Sequence, residues 1–328
     1  LLVVAWATDV GEDVFARRFD TSGAPLGGEF PVNTYATGSA TAPAVAIDGT
    51  GDFVVVWDWF NLTESRIRGQ LFGAGGTPRG SEFLVDAGTA PAAESRVSRG
   101  SFGTFVVAWT SGGPITTGGD IVARRFDPNG SPLGGEFLVN AFTTGRQSHP
   151  DVGVDPLGNF MAVWDSQDQD GDLLGVFGRR FDTTSAVGPE FRVNTYTTGD
   201  QQRPAVASDR AGNFVVTWHT WLNAGISAQR YAGGLMGMEL AVDASPGPAS
   251  DGNRVLEAGE TAALAPSWLN AAFVPQTISG TLSGFTGPGA PGDPTYTIVD
   301  GAGAYGTVAS GATASCTAGT ARWRARSR

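Results

Sequence analysis

At 328 residues, with 48 glycines, 19 prolines and 41% hydrophobic side chains, the chain has the composition of many short strands joined by tight turns, not of long helices. A net charge of −11, with arginine supplying all 21 basic side chains, leaves no basic stripe for phosphates and speaks against a nucleic-acid partner. A lone cysteine, Cys316, excludes a disulfide framework within the chain and a cysteine-based zinc site.

The opening LLVVAW is six apolar residues that run straight into a repeat, too short for a signal peptide or a membrane span. It ends in Trp6, the first of five tryptophans that close an apolar run; the others are Trp57, Trp109, Trp164 and Trp218. Their spacings of 51, 52, 55 and 54 residues mark a tandem array. Other landmarks keep step: ARRFD ending at Asp20 and Asp127, GRRFD ending at Asp182, EFPVN around Phe30, EFLVD around Phe83, EFLVN around Phe137 and EFRVN around Phe191. Before the tryptophan runs stand PAVAID from Pro43, PDVGVD from Pro150 and PAVASD from Pro204, with ESRVSRG from Glu94 as a degraded copy. Each repeat thus holds four short strands, here A (PAVAID), B (FVVVW), C (ARRFD) and D (EFLVN), the size of one propeller blade. The B run is apolar on both alternating faces, as a strand packed between two neighbouring sheets requires. Turns such as DGTGD and DPLGN join A to B with Asp, Asn and Gly chemistry.

The expected fold is therefore all-β: a propeller of about five four-stranded blades over 1–242, with cores near 1–33, 43–86, 94–140, 150–194 and 204–243. A small, incomplete β-sandwich module is expected over 243–315, and a disordered Arg-rich tail over 316–328. The first repeat starts at its B strand and the chain has no initiator Met, which reads as a piece of a longer protein, whose open blade edge is free to pair edge-to-edge with another chain.

The pattern W…RRFD…EFxVNTxTxG…PAVA resembles a family of bacterial extracellular repeat proteins, matched from residue 1 to about 242 and most fully in the third and fourth repeats. The resemblance implies a propeller that is secreted or held at the cell surface, and carries no catalytic assignment. DGNRVLEAGE from Asp251 is similar to the DGNGVLEPGE entry loop of small β-sandwich domains in secreted bacterial proteins, departing at Arg254 and Ala258.

In such a blade the B-to-C loops and the D-to-A connections share one face of the disc. A ligand site is expected where the repeats differ there: Trp59, His149, Arg203, His219 and Trp221 stand in those segments and would ring the channel mouth, offering stacking and hydrogen bonds to a sugar. The plain alternative is that the tryptophans cover blade edges and the histidines are surface residues. Asp168, Asp170 and Asp172 in DSQDQDGDL, and Asp251, Asn253, Glu257 and Glu260 in the C-terminal module, supply hard oxygen ligands for Ca²⁺, the one cofactor expected, or else only shape turns. The Arg pairs Arg17-Arg18, Arg124-Arg125 and Arg179-Arg180 recur beside Asp20, Asp127 and Asp182 and read as ion pairs tying blades together.

No nucleophile elbow, His-Glu-x-x-His or phosphate loop is present. The expected function is a non-catalytic secreted or surface module presenting loops to a glycan or an extracellular protein. The alternative is a propeller glycoside hydrolase or lyase with acids at the channel mouth, for which Asp58 and Asp165 are the candidate pair. Symmetry decides between the two: an enzyme needs unlike carboxylates close together, whereas a scaffold repeats one side chain from blade to blade.

Overall fold

A computed structural model of the protein describes residues 1–8, 13–34, 37–88, 90–112, 119–155, 158–209, 212–221, 225–231, 235–242, 261–270, 276–281, 296–300, 302–308, 313–315 and 323–327. All regular elements among them are strands, and no helix is long and apolar enough to cross a membrane. The chain divides into two compact units, Leu1–Tyr231 and Ala232–Arg328.

The first unit is a β-propeller array of five antiparallel meanders, one per tryptophan repeat. Blade one holds β1 (Leu2–Ala7), β2 (Val14–Phe19) and β3 (Phe30–Pro31). Blade two holds β4 (Ser39–Ile47), β5 (Phe53–Phe60), β6 (Ser65–Phe72) and β7 (Pro78–Leu84), and blade three β8 (Ala92–Arg99), β9 (Phe105–Ser111), β10 (Asp120–Phe126) and β11 (Phe137–Leu138). Blade four holds β12 (Gln147–Val154), β13 (Phe160–Gln167), β14 (Leu174–Phe181) and β15 (Ala186–Arg192); blade five holds β16 (Gln201–Ser208), β17 (Phe214–Thr220) and β18 (Gly225–Tyr231). The A strands of successive blades, β4, β8, β12 and β16, pack on one another and form the inner wall.

The repeated residues are the scaffold. Each B strand sends alternate side chains to opposite neighbours: Val54 and Val56 join the core shared with blade three, while Phe53, Val55 and Trp57 join the core shared with blade one. The phenylalanines of FVVVW and RRFD stack within a blade, at 5.0 Å for Phe53–Phe72, 4.9 Å for Phe105–Phe126 and 4.6 Å for Phe160–Phe181. The EF phenylalanine of the preceding blade closes each pair into a triad, as Phe83 does on Phe126 at 5.8 Å and Phe137 on Phe181 at 5.5 Å. The last residue of the D motif caps the C strand of its own blade: Asn33, Asp86, Asn140 and Asn194 accept the N–H of Val14, Ile67, Ile121 and Val176 at 2.6–2.7 Å.

The arginine pairs tie blades together by a different route from the one expected. Arg18 donates to Ala74 O at 2.8 Å and Arg125 to Asp182 O at 3.0 Å in the following blade, while Arg124 and Arg179 reach back to Val85 O and Val139 O at 3.1 and 3.0 Å. The carboxylates of Asp20, Asp127 and Asp182 cap their own turns instead, accepting N–H groups of Ser22, Asn129 and Thr184. A turn whose amides lie two residues away is the nearer partner for a short acid.

At the outer faces of blades one and five the same positions are exposed. Leu2 and Val4 are 52% and 51% exposed where Phe53 and Val55 are buried, and Ile226 is 74% exposed where Ile67 and Ile121 are buried.

The second unit contains β19 (Leu235–Val242), β20 (Thr261–Asn270), β21 (Gln276–Thr281), β22 (Tyr296–Asp300), β23 (Ala302–Val308), β24 (Thr313–Ser315) and β25 (Trp323–Ser327). One sheet has the order β19-β20-β25-β22 with β24 also on β20, and β21 pairs with β23. The segment around Leu240, expected as the fourth strand of blade five, is β19 and pairs with β20. Residues 323–327, expected within a patternless tail, form β25 against β20 and β22. The alternation Trp323-Arg324-Ala325-Arg326-Ser327 has the period of two that a strand requires.

Candidate active site at the inner rim of the array

One irregularity recurs at the start of every A strand. Register shifts separate Thr41 from Ala44, Ala93 from Arg96, Ser148 from Asp151 and Gln202 from Ala205. Within each bulge one non-glycine residue takes a left-handed backbone: Ala42, Glu94, His149 and Arg203, with φ of 48°, 60°, 49° and 53°. Because Ala42 shares the strain, the conformation belongs to the blade and not to any chemistry. What differs is the side chain it carries. Directly before each bulge the A strand pairs with the residue after the repeat tryptophan, in the registers Thr41↔Asp58, Ala93↔Thr110, Ser148↔Asp165 and Gln202↔His219.

The bulge turns an amide toward the preceding blade, and a carboxylate there captures it. Asp58 Oδ2 accepts Glu94 N–H at 2.6 Å, and its other oxygen accepts Ser95 N–H and Ser95 Oγ–H at 3.0 and 2.7 Å. Asp165 Oδ2 likewise accepts Arg203 N–H at 3.1 Å, and Ser148 Oγ donates to Oδ1 at 2.5 Å. Blade three has Thr110 in place of the acid. There Glu94 swings across from its own bulge: Glu94 Oε2 accepts His149 N–H at 2.8 Å and Thr110 Oγ–H at 2.8 Å.

His149 is consequently clasped between two carboxylates, with Nδ1 at 2.9 Å from Asp165 Oδ2 and Nε2 at 3.3 Å from Glu94 Oε1. The hydrogen bond to Asp165, with the charges of Asp165 and Glu94, raises the imidazole above its ordinary value against burial and the nearby Arg203. Burial is the main force on Asp58 and pushes its carboxyl upward despite the hydrogen bonds from Ser95 and Glu94. Two residues beyond His149, Asp151 is pushed up to about 6 by burial, although it accepts Val206 N–H at 2.7 Å. Asp165 is fully buried, whereas the side chains of Glu94 and His149 keep 16% and 20% of their exposure. Perturbed acids and a histidine grouped where repeats diverge have the character of a functional site.

Of the residues expected at the mouth, His149 and Arg203 meet through Asp165. Arg203, His219 and Trp221, with Gln202, Thr217 and Ile226, line an open cavity of about 610 Å³ on blade five. Trp221 is 65% exposed and packs edge-on to His219, ring centres 5.7 Å apart. Trp59 does not belong with them. It lies buried in the core between blades one and two, donates Nε1–H to Thr37 O at 2.7 Å and carries Arg68 over its ring at 4.8 Å. As a B-strand residue two after Trp57, it shares that side chain's inward face.

The calcium expectation fares differently in its two halves. Asp170 accepts Asn194 Nδ2–H at 2.8 Å and Asp172 accepts Gly199 N–H at 2.9 Å, while Asp168 takes a left-handed φ of 61°. Among the described residues no group of three His, Cys, Asp or Glu is gathered as a ligand set. Asp251, Asn253, Glu257 and Glu260 lie outside the described residues.

Neither a family model nor a curated protein matches the chain. Solved structures do share its fold. A protein of unknown function from Dyadobacter fermentans aligns over 70% of this chain and 67% of its own, at 14% identity and a TM-score of 0.50. An α-L-arabinanase from Penicillium chrysogenum, complexed with arabinobiose, aligns over 82% of this chain and 85% of its own, at 12% identity and a TM-score of 0.47. An endo-arabinase from Bacteroides thetaiotaomicron aligns over 70% and 92%, at 13% identity and a TM-score of 0.43. At these identities the likeness is one of fold.

Glu94, Thr110 and Asp151 are the site residues that sequence reasoning missed. The signal was the position just before each A-strand proline, Ala42, His149 and Arg203, to which Glu94 belongs although Ser95 replaces the proline.

Proposed function

We propose that the inner rim is the active site of a glycoside hydrolase, with Asp58 and Glu94 as its two carboxyl groups. The observation that carries this reading is the broken symmetry of the bulge position, where Ala42, Glu94, His149 and Arg203 replace one another: the Glu94 amide rests on Asp58, while its carboxylate reaches Thr110 and His149. It corrects the expectation of a non-catalytic binding module: that reading needed one side chain to recur at the site, and the solved structures of stated activity that share the fold include an arabinanase and an endo-arabinase.

Glycosidic cleavage requires one carboxyl to give a proton to the leaving oxygen and a second, ionised, on the other side of the anomeric carbon. Asp58, whose carboxyl is raised by burial, is the group assigned to give a proton to the glycosidic oxygen as the C–O bond breaks. Glu94, an acceptor for Thr110 and His149 and partly exposed, is the carboxylate that takes a proton from the water whose oxygen forms the new bond to the anomeric carbon. His149, its imidazole raised chiefly by the hydrogen bond to Asp165, stands between Asp165 and Glu94. Arg203, whose amide rests on Asp165, leads into the cavity that ends at Trp221, where a sugar ring stacks.

The test is reducing-sugar release from a panel of arabinans, galactans and mannans by the purified chain, beside Asp58→Asn and Glu94→Gln. Each variant is expected to lose about 10²–10⁴-fold in kcat while keeping its circular dichroism spectrum. No release by the unaltered chain from any glycan, or undiminished release by both variants, ends the reading. Trp221→Ala, by removing the stacking platform, is expected to raise KM roughly ten-fold with kcat held, measured by the same assay.

A further inference from the structure

Thr110 interrupts a rule that the neighbouring blades obey. At the position after the repeat tryptophan, Asp58 and Asp165 each capture the bulge amide of the following blade, Glu94 N–H and Arg203 N–H. Thr110 stands at the same register, opposite Ala93 as Asp58 is opposite Thr41. A hydroxyl there adds no charge and offers a donor. The amide it leaves uncaptured, His149 N–H, and its own Oγ–H both go to Glu94 Oε2 at 2.8 Å. An aspartate in that place would occupy the amide and repel a second carboxylate a few ångströms away.

We infer that Thr110 is the positioning residue for Glu94: by standing where blades two and four carry aspartate, it admits the Glu94 carboxylate to the rim and fixes it between the His149 amide and the His149 ring. The inference rests on the hydrolase reading for its catalytic meaning, but its structural half stands alone. It also accounts for how a scaffold position becomes a site with a single exchange. The carboxylate that holds the next blade's bulge amide from blades two and four is replaced in blade three by one brought from the bulge. That carboxylate spans two blades and keeps an exposed edge.

The experiment pairs a structural readout with a catalytic one on the full chain. The His149 ring faces Asp165, Glu94 and Arg203, so its NMR titration midpoint senses whether Glu94 is in place. Thr110→Val, which keeps the shape and removes the donor, is expected to lower that midpoint by about half a unit or more as Glu94 loosens. It is also expected to lower kcat at least roughly ten-fold with little change in KM. Thr110→Ser, which restores the hydroxyl, is expected to recover both. Thr110→Asp is expected to fold with unreduced thermal stability, since it re-creates the cap of blades two and four, yet to lose kcat by about 10²-fold or more. In the crystal structure of that variant the introduced carboxylate should hold the His149 amide, with Glu94 displaced.

A His149 midpoint unmoved in Thr110→Val, or Glu94 still on the His149 amide in Thr110→Asp, overturns the inference whatever the activity. A shifted midpoint in a protein whose unaltered form cleaves no glycan sustains the positioning role and removes the hydrolase reading alone.

Discussion

Replacing Phe160 by alanine is expected to cost about 3–5 kcal/mol of stability. Phe160 is fully buried and stacked 4.6 Å from Phe181, with Phe137 of the preceding blade 6.4 Å away and Arg125 over its ring at 5.3 Å. Alanine removes the stacking and the transfer energy of the ring. It also leaves a cavity between blades three and four that rigid sheets cannot collapse to fill. In a stack of repeats that touch only their neighbours, stability is close to a sum of blade and interface terms, so one weak interface is enough to split the transition. Urea unfolding followed by tryptophan fluorescence is the measurement, with Val215→Ala as a control at a position 39% exposed. A loss below about 1 kcal/mol, equal to that of the control, would show that the phenylalanine triads do not hold the blades together.

The triads also explain why the fold was legible and the site was only partly so. Phe53, Phe105, Phe160 and Phe214 repeat because every interface needs the same ring in the same place, and a repeated need leaves a periodic trace in the sequence. The arginine pairs leave the same trace, but not the partner: backbone carbonyls such as Ala74 O and Val85 O have no letter in a sequence, so a carboxylate nearby was the visible candidate. The site suffers from the opposite condition. Glu94 stands at the rim because its repeat departs from PAVA, and in the sequence that departure has the look of decay. Trp59 failed as a site residue for a simpler reason. A B strand buried on both faces gives an aromatic at its end an inward home, so residue type alone overstated its exposure.

Asp165 is the other position where a single change is expected to have a large effect. It is fully buried and is the common acceptor for Ser148 Oγ–H, the His149 ring and Arg203 N–H. Asp165→Ala takes this acceptor from Ser148 Oγ–H, His149 Nδ1 and Arg203 N–H and leaves the ring with Glu94 at Nε2, an expected loss of about 3–5 kcal/mol. Asp165→Asn keeps the shape and one acceptor oxygen but turns an amide toward donors, so a smaller loss is expected, with a distinct pH signature. The folded-state midpoint of His149 lies above the ordinary 6.5, chiefly through Asp165. A group raised on folding stabilises fully below its unfolded value, and that contribution fades as pH climbs through the folded midpoint. The stability gap between the unaltered chain and Asp165→Asn should therefore be widest near pH 6 and narrow steadily above 6.5, because only the protonated ring draws on the full carboxylate charge. Thermal unfolding across pH 5.5 to about 8.5 measures that gap, and the difference cancels the other titrating groups, Asp58 and Asp151 among them. A gap that stays constant, or widens with pH, would mean that His149 is neutral in the folded chain.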